Sequence, residues 1–231
     1  YQSESIFMFI SQCIWPKNII KVLEKQEFIT IKPEIPFSIY VPEKLCDMAL
    51  RNYISPNLAK FLFDSLKKIS PDCYTSLESF YPLLQNCMNM LNGRSYISLN
   101  SILDYWVNEI SVKELIHQIQ NLNDNEMVYE GDILSIIDHI ARIFKFIMDY
   151  FSKYEEQSIF LRIKAFYLRI KNGVKLDLVP WVEKYKDIQP NTFRKLVEAG
   201  FRTPDSLLVA SPKELSVKSD LPLETCTLFY Q

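Results

Sequence analysis

The chain has 231 residues, 48% of them hydrophobic and 23% charged, which is enough apolar material to bury a core and argues against disorder. Its formal net charge of −2 excludes a global attraction to nucleic acid. The five cysteines are widely spaced, and no apolar run approaches the ~20 residues of a membrane helix. We therefore expect an intracellular, cytoplasmic protein with no membrane partner.

Charge is distributed unevenly along the chain. Residues 158–202 contain ten Lys/Arg and four Asp/Glu, whereas residues 1–157 contain fourteen and twenty. A basic segment inside an acidic chain has two interpretations, an anion-facing strip or a solvated helical face.

Residues 1–56 have the pattern of a winged helix. A helix that begins at Pro16 carries a basic residue at every fourth position: Lys17, Lys21 and Lys25. Two β-like runs, residues 28–31 and 37–41, would form the wing. The basic stripe either contacts DNA or flanks a wing that packs internally against a neighbouring domain.

Residues 57–174 show helical periodicity, and the longest predicted helix opens at Gly131-Asp132. Its apolar positions share one face, and its polar positions Ser135, His139, Arg142 and Lys145 lie on another side. Gly173 is predicted to end the following helix.

Residues 175–231 are expected to form short helices with strong start and stop signals. Pro190 favours a helix start, and Gly200 favours a helix stop. Ser211 and Glu214 have the spacing of a capping box.

The sequence contains no signature of catalysis. The four glycines are too far apart for a phosphate-binding loop, and His117 and His139 lie outside any His/Cys cluster. We therefore assign no catalytic residue, no metal ligand and no cofactor to this chain.

Three blocks resemble, in order, the C-terminal half of archaeal Hjm-type helicases of the Ski-like branch of superfamily II. Residues 51–61 read RNYISPNLAKF, residues 103–110 read LDYWVNEI and are followed by EGDI at 130–133, and residues 169–175 read RIKNGVK and are followed by EAGFRT at 198–203. The second block is similar to the family's Leu-x-x-Trp-Ile-Asn-Glu and Pro-Gly-Asp-Ile/Leu, which begins its so-called ratchet helix.

The resemblance implies a mainly α fold with three parts: a winged helix at 1–56, a helical ratchet domain at 57–174, and a small helix-hairpin-helix-like domain at 175–231. The family's two motor domains, which bind ATP and Mg²⁺ and drive 3′-to-5′ unwinding, would lie outside this chain. Both ends fall within a pattern, so we expect a piece of a longer protein.

The family places an Arg four residues after the ratchet-helix glycine and a Trp seven residues after the Arg. Counted from Gly131, these positions are Ser135 and Arg142. An Arg142 guanidinium can stack on a base as an aromatic ring does. His139 and Lys145 are expected to add contacts on the same side, and a solvated stripe is the alternative interpretation.

The terminal hairpins depart from the family pattern. Residues 188–192 and 218–222 lack the glycines that expose backbone N–H groups to phosphate, and the family's Arg-rich run persists as Arg194-Lys195. We expect the fold to be kept, with DNA contact by Arg194 and Lys195 and a protein-binding or braking role as alternatives.

Taken together, we expect the non-motor portion of an ATP-dependent DNA helicase in repair or replication restart, located at the nucleoid. Its expected partners are single-stranded or forked DNA, the motor domains and a replication or repair protein. One alternative is a helical protein-protein adaptor without DNA binding. Another is the RNA branch of the same helicase family, against which the terminal Glu-Ala-Gly-Phe-Arg block argues.

Overall fold

A computed structural model describes residues 17–33, 38–68, 75–92, 99–122, 128–152 and 157–230. These residues are mainly helical, with one antiparallel pair of strands, so the expected mainly α class is confirmed. Residue contacts divide the chain into two compact units. The first unit is Tyr1–Gly93 with Lys145–Gln157, and the second is Arg94–Phe144 with Ser158–Gln231. The expected boundaries near residues 56 and 174 stay predictions.

The first unit contains helices and a β-hairpin: α1 (Lys17–Lys25), β1 (Ile29–Pro33), β2 (Ser38–Pro42), α2 (Lys44–Arg51), α3 (Pro56–Lys68), a 3-10 turn (Glu78–Phe80) and α4 (Tyr81–Asn92). The strands lie close to the two β-like runs predicted from sequence, with Ile31 paired to Tyr40. The hairpin loop and Pro16 lie outside the described residues.

The second unit is helical in its described residues. It contains α5 (Leu99–Val107), α6 (Val112–Leu122), most of α7 (Glu130–Phe151), α8 (Gln157–Asn172), a 3-10 turn (Leu176–Leu178), α9 (Val179–Lys184), α10 (Pro190–Glu198), a 3-10 turn (Pro204–Val209), α11 (Pro212–Ser219), α12 (Leu223–Thr227) and a last 3-10 turn (Leu228–Tyr230). The last seven residues of α7 belong to the first unit.

The core of the first unit includes α3 and the end of α7. Leu58, Leu62 and Leu66 recur every four residues on α3 and are buried, as helical periodicity requires of a core face. The Phe63 and Tyr150 rings meet edge to face with centroids 5.5 Å apart. The amide of Asn52, which is buried, donates to the half-buried carboxylate of Asp149 at 2.9 Å and so joins the end of α2 to α7.

Two apolar clusters lie among the described residues of the second unit. One joins α5, α6 and the first half of α7 through buried residues: Ile102, Leu115, Ile119, Val128, Ile133 and Ile137. The other fills the terminal helices around Trp181, whose indole stacks on Phe193 with centroids 5.7 Å apart. Burying these aromatic side chains supplies a core for a segment built from helices of five to nine residues.

Three predicted helix boundaries in the second unit are present in the structure: two helix ends and one helix start. Gly173 and Gly200 adopt the left-handed φ values of 61° and 97° that favour glycine after a helix. At the start of α11, Ser211 and Glu214 form both hydrogen bonds of the capping box. All three predictions are confirmed.

Candidate nucleic-acid interface

Helix α7 has one buried and one exposed face. The carboxylate of Asp132 accepts a hydrogen bond from the backbone N–H of Tyr129 at 2.9 Å, which fixes the start of the helix. Ile133, Ile140 and Phe144 then point into the core and are fully buried. A 22-residue helix with this apolar stripe must carry its polar positions on the opposite side.

The exposed side of α7 brings three of the predicted contact residues together. Ser135 and Arg142 are exposed, and His139 is half-buried. The Nδ1 atom of His139 lies 2.7 Å from the carbonyl oxygen of Ser135, so Nδ1 carries the hydrogen because a carbonyl can only accept. Since Arg142 is exposed, its side chain lies at the surface and not within an apolar interior.

Arg142 forms an ion pair with Asp138 one turn earlier, with Nη2 and Oδ2 2.6 Å apart. The two side chains are 43% and 56% exposed. Surface pairs of this kind contribute about 0–1 kcal/mol, so a ligand phosphate can displace Asp138 at small cost.

The remaining predicted contact residues are more scattered. Lys145 is half-buried in the part of α7 that belongs to the first unit. Lys21 and Lys25 are exposed on α1, whereas the Lys17 side chain lies outside the described residues. Lys195 is exposed on α10. Their contact with DNA stays a prediction.

Arg194, also predicted to contact DNA, is held by two carboxylates of its own chain. Its Nε and Nη2 atoms donate to Glu109 at 2.8 and 2.6 Å, and its Nη1 and Nη2 atoms donate to Asp177 at 2.7 and 3.0 Å. Both pairs are bidentate, the strongest geometry available to a guanidinium. Any phosphate at Arg194 has to compete with this arrangement.

The backbone places Glu109 for this contact. After α5 the N–H of Glu109 donates to the carbonyl of Trp106 and that of Ile110 to the carbonyl of Tyr105, the two bonds of a Schellman cap. Glu109 adopts a left-handed φ of 68° where glycine is usual. Its carboxylate also accepts from the backbone N–H of Lys175 at 2.9 Å. These bonds offset the cost of the backbone conformation.

Sequence reasoning missed Glu109 and Asp177 as functional candidates. Glu109 lies within the block of residues 103–110 that carries the resemblance, but nothing in its spacing indicates a partner 85 positions away. The available signal was a helix end without a glycine, which raises the question of what stabilises the turn.

The hydrogen bonds from Arg194 lower the pKa of the Asp177 carboxyl, and burial opposes this shift. Near pH 4 the unfolded chain then binds a proton more readily than the folded one, so the pair stabilises the fold above that pH. The stabilisation is lost as the pH falls through the lowered pKa of Asp177.

Asp177→Asn is therefore expected to flatten the acid limb of the stability profile between about pH 5 and about pH 3. The change should stay below ~1 kcal/mol, because the Asp177 side chain is 45% exposed. Urea denaturation across this pH range measures it, and parallel profiles for the two proteins would contradict the assignment.

A groove of about 470 Å³ lies beside this cluster. It is lined by residues from the turns around α5, α6 and α8 and from the start of α10: Trp106, Glu109, Ile110, Ser111, Val112, Gly173, Pro190, Asn191 and Arg194. One side of the Arg194 site therefore opens onto space that a ligand can enter.

The two terminal hairpins, at residues 188–192 and 218–222, differ in backbone conformation at the positions where the family has glycine. In the hairpin at residues 218–222, Asp220 takes the left-handed conformation with φ 53°. In the hairpin at residues 188–192, no described residue has a positive φ, and Pro190 has no N–H. The hairpin at residues 188–192 therefore has no backbone nest of the kind that glycines form around phosphate.

Comparison with protein-family models and with curated proteins finds no match to this chain. Within the described residues, no three His, Cys, Asp or Glu side chains are grouped as metal ligands. In the same ranges, no helix combines the length and the apolar character that crossing a membrane requires.

Proposed function

We propose that this chain is the non-motor portion of an ATP-dependent 3′-to-5′ DNA helicase of the archaeal Hjm type, which acts in repair or replication restart at the nucleoid. In this proposal the chain binds single-stranded or forked DNA and regulates unwinding by motor domains elsewhere. The winged helix, the ratchet helix and the helix-hairpin-helix-like domain are parts of the same proposal.

The observation that carries the proposal is the exposed face of α7. It presents Ser135, His139 and Arg142 along about two turns, and the opposite face is fixed in the core. A rigid helix that offers a planar cation and hydrogen-bonding groups suits a single strand, whose bases are free to stack. The helix also begins within the EGDI block at residues 130–133, where the helicase resemblance places the ratchet helix.

Arg142→Ala is expected to weaken binding of a single-stranded oligonucleotide about three- to tenfold, because one phosphate or base contact is lost. Fluorescence anisotropy at several salt concentrations measures the change. Arg142→Lys should recover the electrostatic part but not stacking, since ammonium lacks a planar face.

Lys213→Ala is the matched control, because Lys213 is an exposed cation on α11, outside this face. It should change the affinity much less than Arg142→Ala. Equal effects of both substitutions would mean that Arg142 contributes only non-specific electrostatic attraction. An unchanged affinity in Arg142→Ala would mean that Arg142 does not contact the DNA.

The second candidate function is a protein-protein adaptor, and exposed apolar side chains in the terminal helices favour it. Leu208, Val209 and Val217 are 79%, 90% and 85% exposed. The hydroxyl of Tyr230 shares its hydrogen between the carbonyl oxygens of Leu207 and Ala210, which flank Leu208 and Val209 in the chain. Contiguous apolar surface is typical of protein contact sites, and Leu208 and Val209 are neighbours in the chain.

A crosslinking experiment against a replication clamp and a motor fragment separates the two candidates. Capture of either protein by a chain that shows no DNA affinity at low salt would favour the adaptor. DNA binding that depends on Arg142 would favour the helicase portion.

A further inference from the structure

Arg194 is a potential phosphate ligand whose hydrogen-bonding capacity is already occupied. Four of its N–H groups donate to carboxylate oxygens, out of the five that a guanidinium offers. Two carboxylates face this one cation, so the local charge is negative and repels a phosphate.

We propose that Glu109 and Asp177 form an autoinhibitory clip that masks Arg194, and that nucleic-acid phosphates reach this guanidinium when the clip opens. The inference rests on the proposed function, since the competing phosphates are those of a nucleic-acid backbone. It adds a regulatory contact within the second unit.

The two carboxylates differ in how firmly they are held. Glu109 is 20% exposed, and it accepts hydrogen bonds both from Arg194 and from the backbone of Lys175. Asp177 is 45% exposed and lies in a short 3-10 turn. The clip therefore opens on the Asp177 side, and Glu109 keeps the guanidinium oriented.

Opening on that side frees the Nη1 atom of Arg194 and one hydrogen of Nη2. Two parallel N–H groups then match a pair of phosphate oxygens, the geometry in which Arg recognises phosphate. A phosphate reaches this edge directly from solvent, because the Asp177 side chain that covers it is 45% exposed. The groove of about 470 Å³ lies on the other side of the guanidinium, since Glu109 lines it and Asp177 does not.

Asp177→Asn tests the clip, because it removes the outer charge with almost no change of shape. We expect its affinity for a single-stranded oligonucleotide to rise about three- to tenfold over wild type, and the log–log salt slope to steepen by about one. Adding Arg194→Ala should cancel the gain.

Asp187→Asn is the matched control, since Asp187 is an exposed carboxylate in the second unit and makes the same change of net charge. An equal gain in Asp187→Asn and Asp177→Asn would overturn the clip in favour of general electrostatics. Identical DNA affinities of wild type and Asp177→Asn would overturn it as well, while leaving the proposed function intact.

A second readout separates failure of the clip from failure of the proposed function. Tripolyphosphate is titrated into ¹⁵N-labelled protein, and the Nε–H resonance of Arg194 is followed. If no variant binds DNA, the proposed function fails. The titration still shows whether Asp177 masks Arg194, because it uses tripolyphosphate and not DNA as the ligand. A larger shift in Asp177→Asn than in wild type supports the clip, and equal responses overturn it.

Discussion

Gly173→Ala is expected to lower the free energy of unfolding by roughly 2–4 kcal/mol, through two separate costs. The glycine has a φ of 61°, a conformation that an L side chain adopts with strain. A Cβ atom would also lie 2.8 Å from the Trp106 ring. That ring cannot easily move, because its indole N–H donates to the carbonyl of Ile170 at 2.6 Å.

Two other glycines separate these costs. Gly200 has a φ of 97° with nothing within 4 Å of an added Cβ, so Gly200→Ala should show the backbone strain alone. Gly131 has open space and lies within the first turn of α7, so Gly131→Ala should be neutral or stabilise the fold by up to ~1 kcal/mol.

Chemical denaturation followed by circular dichroism and tryptophan fluorescence measures the series. The expected order of stability is Gly131→Ala first, then Gly200→Ala, then Gly173→Ala. A loss in Gly173→Ala no greater than that in Gly200→Ala would show that Trp106 yields to the new methyl group.

Arg194→Ala is expected to cost about 2–3 kcal/mol of stability, because it leaves Glu109 and Asp177 facing each other without a cation. Most of this cost comes from the Glu109 carboxylate, which would lose its cation while only 20% exposed and on a strained backbone. The loss should show in equilibrium unfolding at neutral pH.

Arg142→Ala is the comparison for this effect. It breaks an ion pair of similar length, 2.6 Å, but on an exposed helix face, so we expect a change within about 0.5 kcal/mol. Equal costs for Arg142→Ala and Arg194→Ala would mean that the carboxylates at Arg194 relax into solvent. A double-mutant cycle with Glu109→Ala then gives the coupling energy directly.

Local patterns predicted much of the fold. The spacing of Ile133, Ile137, Ile140 and Phe144 defined α7, and the glycines at 173 and 200 marked two helix ends, because periodicity and backbone freedom act within a few residues. The two β-like runs at residues 28–31 and 37–41 located the β-hairpin in the same way.

The contacts that organise the candidate site are not local. Trp106 and Gly173 are separated by more than sixty positions along the chain, as are Glu109 and Arg194, and no periodic signal links such residues. The left-handed Glu109 and Asp220 were also missed, since both positions are ones where sequence rules expect glycine or asparagine. The exposed position of Arg142 was anticipated because it depends on helical phase alone.

The two compact units are interleaved along the chain, and this limits how the protein can be dissected. The first unit ends with residues 145–157, which follow a stretch of the second unit, so the polypeptide passes between the units three times. A truncation after residue 93 would discard Phe146 and Ile147, which are fully buried, and expose the apolar surface they cover. Neither unit is encoded by one continuous segment, so assigning activities calls for point substitutions or circular permutation instead of deletion series.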